Sequence, residues 1–299
     1  MTDAAISFTQ SAPRKPSLFR RLRRSRFPWF SGFVVLAFIL MAILGEHIAP
    51  GSYGQMNLRT RFIPPVWQEG GSWANILGTD MLGRDLLSRI IVGARTSLIV
   101  SVFALVLGGG AGTIIGLASG YFGGRVDAFL MRAGDATIAF PIILLAMLLS
   151  VVLGPSLQNV VISLGLVLWA RFARVVRGEV LSFRERDFIA LARVAGASHA
   201  RIMFLHLLPN VANTLIVMLT LQVGWVIIIE ASLSFLGAGI PGPEPVWGSM
   251  IAAGRQYVTS AWWVPFFPGL AVALVCLAFN MLGDWMREML DPKLRNAGD

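Results

Sequence analysis

Three histidines, one cysteine and 16 acidic residues are the acid–base, metal-ligating and thiol groups of this 299-residue chain, and none forms a catalytic set. His47, His199 and His206 have no cysteine or acidic neighbour at metal-ligand spacing. No serine, histidine and aspartate set suggests a hydrolase. No GxxxxGK[ST] loop offers backbone amides to a nucleotide phosphate, so a process driven by ATP takes its energy from another chain. Cys276 stands in an apolar run with no disulfide partner and reads as a packed core residue. No metal or cofactor is expected.

The remaining chemistry is recognition. Residues 187–209, DFIALARVAGASHARIMFLHLLP, form a polar, arginine-bearing segment between two apolar runs. Asp187 suits a helix start, with its charge near the positive helix end. Ala190, Ala192, Ala195, Gly196 and Ala197 make a small-residue patch that another backbone can approach closely. Arg193 and Arg201 project from such a helix, and Pro209 limits its continuation into the next run. A surface helix with arginines snorkelling along a membrane fits the same pattern. The second candidate is Glu230, an acid in the fifth apolar run: it either pairs with an arginine of a neighbouring helix or chain, or lines a pathway.

These groups need a frame, and its solvent is a bilayer. Hydrophobic residues make up 56% of the chain and charged ones 14%, with a mean hydropathy of +0.70, beyond an ordinary soluble domain. The net charge of +9 does not point to nucleic acid, because the arginines flank apolar runs, where they orient helices and meet anionic lipid. Runs near the ~20 residues needed to cross ~30 Å of hydrocarbon fall at 30–49, 97–118, 128–153, 158–176, 211–233 and 264–282. The first exceeds a signal-peptide core and lacks an Ala-x-Ala-like site, so it stays as an anchor. The expectation is an all-α integral membrane protein with six transmembrane helices.

With the N-terminus inside, 19 of the 25 Lys and Arg residues fall on the inner side, leaving Arg59, Arg61, Arg84, Arg89, Arg95 and Arg255 outside. Both termini and the 187–209 segment are therefore expected in the cytoplasm. The chain divides into a basic tail (1–29), an anchor with an external connection (30–96), a transmembrane domain (97–290) with a cytoplasmic loop at 179–209, and a short tail (291–299).

Smaller expectations follow from spacing. Asp80, Arg84, Asp85 and Arg89 suit an amphipathic helix over 79–95 on the outer face, either as local ion pairs or as a docking element. Arg132 and Asp135 suit mutual pairing. Trp262 and Trp263 suit an interfacial belt. Met147, Met218 and Phe140 suit core or lipid packing, with a pathway lining as the alternative.

The 187–209 segment resembles the EAA loop of ABC-importer permeases. Ala190, Leu191 and Ala192 occupy the Glu-Ala-Ala places, Gly196 is the glycine, and Leu207, Leu208 and Pro209 stand at the end. With Ala190 in place of the usual Glu, docking rests on shape at Ala192 and Gly196 more than on charge. LGTDMLGRDLLSRIIVGARTSL, GYFGGRVDAFLMR, EASLSFLGAG and FNMLGDWMREMLDPKL resemble the dipeptide/oligopeptide/nickel permease group, and PPVWQEGG is most similar to the C-type subunit of the dipeptide permease.

The resemblance implies a bundle like that of type I ABC importers in the inner membrane of a bacterium. It implies a subunit without catalysis of its own, paired with a homologous second permease. Two cytoplasmic ATPases power it and an external binding protein delivers peptide. Asp187, Ala190, Ala192, Arg193, Gly196, Ala197, Leu208 and Pro209 then form the coupling element that meets the ATPase. Nickel, glutathione and antimicrobial peptides are alternative substrates within the group. An ion-coupled secondary transporter or a membrane scaffold are alternatives outside it.

Overall fold

The computed structural model describes residues 27–290; the arginine cluster of the basic tail (1–26) and the last nine residues (291–299) lie outside the described residues. Among the described residues there are helices and turns but no strands. α1 (Trp29–Ile48) is apolar on nearly every face and mostly exposed, as suits a helix that lipid surrounds. Its 20 residues span about 30 Å.

α2 (Leu86–Phe122) is 37 residues long, about 55 Å, and it starts where Asp85 accepts a hydrogen bond from the Ser88 N–H at 2.8 Å. The separate amphipathic helix expected over 79–95 is not formed. Asp80 instead holds the Leu82 and Arg84 N–H groups at 2.8 and 3.0 Å and curls the chain into a tight turn. Asp80, Asp85 and Arg89 are buried: Arg84 and Arg89 converge on Asp80 at 2.7 and 3.7 Å, and Asn75 donates to Asp85 at 3.0 Å. This network fastens the 49–85 connection to the head of α2.

Gly123, at φ +67°, ends α2 and turns the chain into α3 (Gly124–Ala139). α4 (Ile142–Leu153) follows at an angle of 93°. The single helix expected over 128–153 is thus broken, because Pro141 bars the α conformation at Phe140, which is extended at ψ 139°. Among the described residues five helices are long and apolar enough to cross a membrane, or six if this bent pair counts as one span. α4 alone, 12 residues or about 18 Å, is too short.

α5 (Leu157–Arg184) packs along most of α2, which presents Gly108, Gly112 and Gly116 to it. A Cβ at Gly116 would lie 2.6 Å from the Ala173 carbonyl, so only glycine permits this approach. Asp127 of α3 joins the pair, accepting from Nε and Nη2 of Arg177 of α5 at 2.5 and 2.7 Å and from the Ser119 hydroxyl of α2. Asp135 pairs with Arg174 of α5 and not with Arg132, so the expected local pair is replaced by a link between helices.

α6 (Asp187–Val194) and α7 (His199–Phe235) follow, then α8 (Trp247–Gly254) and α9 (Trp263–Leu290). Trp263 is buried, not in a lipid-facing belt, and its Nε1 donates to the Thr79 carbonyl at 3.2 Å. Trp262 is half-buried against Phe266 and Phe267. Cys276 is buried and its Sγ approaches the Gly224 carbonyl at 3.1 Å, where α9 crosses α7. Met147 and Met218 pack on the central core, while Phe140 is exposed.

Candidate functional site

The end of the bundle opposite the 49–85 connection carries the 187–209 segment. Arg186 lies over the Phe183 ring at 4.6 Å, and α6 begins at the next residue, with Asp187 exposed in its first turn. One residue of this eight-residue helix is fully buried, Ile189. It enters an apolar cluster with Leu117 and Tyr121 of α2, Val176 and Val180 of α5, and Ile202, Leu207 and Val211 of α7. Burying such a side chain contributes about 2 kcal/mol, enough to seat an eight-residue helix that is marginal alone.

Gly196 ends α6 in a Schellman motif. Its N–H donates to the Arg193 carbonyl and the Ala197 N–H donates to the Ala192 carbonyl, both at 3.0 Å, with Gly196 at φ +76°. A Cβ on Gly196 would meet nothing within 4 Å, so glycine is needed here for backbone conformation. Ala192 and Ala197 are half-buried and pack inward on the apolar cluster. The outward side consists of Phe188, Ala190, Leu191, Val194 and Ala195, with Leu191 67% and Val194 88% exposed. The small-residue patch is therefore divided: Ala192 and Ala197 form the inner footing of α6, Ala190, Ala195 and Gly196 stay exposed, and the large apolar surface presented outward is that of Leu191 and Val194. The spacing of positions 188, 191 and 194 was the available signal, obscured by the neighbouring alanines. Arg193 reaches over the Tyr121 ring, its Cζ 5.5 Å from the centroid.

α7 starts at His199, with the Ser198 hydroxyl accepting from the Arg201 N–H at 3.3 Å. Pro209 does not stop this helix, which runs unbroken to Phe235 through a π turn over Ile202–Leu207. The missing Pro209 N–H leaves no α-type donor for the Leu205 carbonyl, and the ring crowds it, so the turn widens. The Leu208 N–H donates to the Met203 carbonyl, a five-residue step. Asn210 supplies its side-chain amide to the His206 carbonyl at 2.6 Å. In an α-helix, residues five apart point ~140° from one another. The π turn instead lets Ile202 and Leu207 both bury in the cluster that holds Ile189.

Glu230 lies in the half of α7 away from the 187–209 segment and is 1% exposed. Its Oε1 accepts from the Ser234 hydroxyl one turn on, at 2.8 Å, and its Oε2 has no hydrogen-bond partner. Among the described residues no arginine of a neighbouring helix pairs with it. The segment and Glu230 are distinct sites, at different levels of the bundle.

Comparison with known proteins adds to this geometry. Residues 112–296 match the family described as binding-protein-dependent transport system inner membrane component. Residues 17–65 match the N-terminal transmembrane domain of oligopeptide transport permease C. A dipeptide transport system permease protein of Haemophilus influenzae is 36% identical over 295 residues, 99% of this chain and all of the relative. The corresponding protein of Escherichia coli K12 is 44% identical over 265 residues, 88% of each chain. A peptide transport system permease protein of Brucella melitensis is 42% identical over 279 residues, 93% of this chain and 92% of the relative.

Proposed function

Since the chain belongs to the family of binding-protein-dependent transport system inner membrane components, we propose that it is the permease subunit of an ATP-driven importer for dipeptides or short oligopeptides. It forms half of the translocation pathway with a homologous second permease, in a bacterial inner membrane with both termini cytoplasmic. ATP hydrolysis takes place on two partner subunits, and an external binding protein delivers the peptide.

The observation that carries the coupling role is the outward face of α6. Leu191 and Val194 are exposed at an end of the bundle rich in arginine, on a helix that Ile189 fixes to three others. An apolar patch that is rigidly seated and rimmed by Asp187, Arg186 and Arg193 has the makeup of a protein-docking surface, with charges at the rim and large apolar groups at the centre. The ATPase is the partner that this reading assigns to it. Ile202, Leu207, Leu208 and Pro209 then carry motion of the docked helix into α7, because the helix is continuous across them.

The test is Leu191→Asp and Val194→Asp in the intact transporter. Placing a carboxylate in the apolar centre of the dock costs about 2–3 kcal/mol, so ATPase retention on purification falls at least about 30-fold while the permease remains inserted. Full retention and full uptake in both variants would overturn the coupling assignment. An uptake panel of dipeptide, longer peptide and nickel tests the substrate class, and transport of nickel alone would overturn it.

A further inference from the structure

The structure assigns a second mechanical contact to the coupling segment: we propose that the Tyr121 hydroxyl, bonded to His199, is a positioning group that links the docked ATPase to α2 as well as to α7. The proposal rests on the ATPase docking at α6 and concerns how its state is conveyed.

Tyr121 occupies the last turn of α2, two residues before the break at Gly123. Tyr121 is 7% exposed, and its hydroxyl is 2.8 Å from Nδ1 of the exposed His199, the first residue of α7. A buried tyrosine hydroxyl needs a partner, and here the partner comes from the coupling segment. Arg193 of α6 lies over the same ring at 5.5 Å, and the His199 ring lies 5.6 Å from it. One residue earlier, the Gly120 carbonyl accepts from Arg184 Nη1, at the end of α5, at 3.1 Å. The final turn of α2 therefore touches the end of α5, α6 and the start of α7, with Ile189 and Ile202 beneath it.

α2 is suited to carry what this turn receives. It is one uninterrupted helix whose far end is clamped by Asp85, Ser88 and the Asp80, Arg84 and Arg89 cluster, and through them to the external connection. A displacement of α6 that drags His199 and Arg193 pulls on the inner end of a rod whose outer end holds the external face. The cluster is too well packed for such a shift to dissipate locally. Binding of the loaded binding protein outside and ATPase turnover inside are thus joined through α2, in addition to the route along α7.

Tyr121→Phe removes the hydroxyl alone and keeps the ring under Arg193. The complete transporter, with both permeases, both ATPases and peptide-loaded binding protein in proteoliposomes, is assayed for ATPase retention, basal hydrolysis and stimulation by the loaded binding protein. Retention and basal hydrolysis are expected at wild-type levels, with the stimulation ratio lowered by about twofold or more, as the loss of one coupling hydrogen bond allows. His199→Ala should lower the ratio similarly, and the double variant should be no worse than the His199→Ala single variant. A stimulation ratio in Tyr121→Phe closer to wild type than that, or loss of the ATPase altogether, would overturn the proposal, the second outcome making the hydroxyl a structural staple. Failure of the wild-type chain to retain an ATPase would instead overturn the docking assignment itself, so the two failures are told apart.

Discussion

Gly196 and Glu230 are two residues whose roles the structure separates from their appearance in the sequence. The glycine looks like a gap for a neighbour, yet it is exposed and holds a left-handed turn. Gly196→Ala should therefore cost about 1 kcal/mol in the stability of the purified complex, and Gly196→Asn less, since asparagine tolerates that conformation. Equal thermal stability for glycine, alanine and asparagine would contradict a conformational role. Glu230 looks like half of an ion pair, yet its partner is the Ser234 hydroxyl. Glu230→Gln keeps the acceptor for Ser234 and should leave assembly near wild type. Glu230→Ala removes that acceptor and leaves a cavity, at a cost of about 2–4 kcal/mol in thermal unfolding of the detergent-solubilised complex. A loss in Gln as large as that in Ala would mean that the negative charge itself matters.

At the scale of elements, the readable features were those written in composition, and the unreadable ones were those decided by hydrogen bonding across the fold. Long apolar runs identified α1, α2, α5, α7 and α9, because a span needs little beyond length and hydropathy. The 79–95 segment was misread because helix-compatible spacing of Asp80, Arg84, Asp85 and Arg89 says nothing of Asp80 capturing two backbone amides first. Two prolines had different outcomes: Pro141, which the 128–153 reading passed over, breaks α3 from α4, whereas Pro209, read as a limit on the helix, widens α7 without ending it. What differs is context, since Ile202, Leu207 and Val211 are all buried in one cluster that holds the helix together across Pro209. Deleting Leu205 alone would restore four-residue spacing between these anchors but drive the Pro209 ring into the preceding turn, at about 3 kcal/mol. Deleting Leu205 together with Pro209→Ala lets the segment become regular α-helix, so the double change should recover most of the thermal stability and ATPase retention lost by the deletion. No recovery would mean that the wide turn is required for reasons beyond the proline.

For the whole molecule, the candidate coupling segment could be located from sequence, but which of its sides faces outward could not, because that depends on α2 and α5 converging on Ile189 from more than 60 residues away in one case. Orientation in the membrane stands on charge bias alone: the end bearing α6 is arginine-rich, and the end bearing the 49–85 connection is not. The chain is well suited to a direct test of that bias. Its one cysteine, Cys276, is 5% exposed between α7 and α9, so a membrane-impermeant maleimide should leave the native protein unlabelled in intact cells. Trp73, 82% exposed on the 49–85 connection, and Val194, 88% exposed on α6, are at opposite ends and tolerate a small side chain without loss of packing. With the outer membrane permeabilised, Trp73→Cys should label from outside at a rate near that of a free surface thiol. Val194→Cys should label only after the inner membrane is opened, and more slowly when the ATPase is present, since the docked partner covers it. Labelling of Val194→Cys in sealed cells would invert the topology and, with it, remove the coupling segment from the compartment where ATP is available.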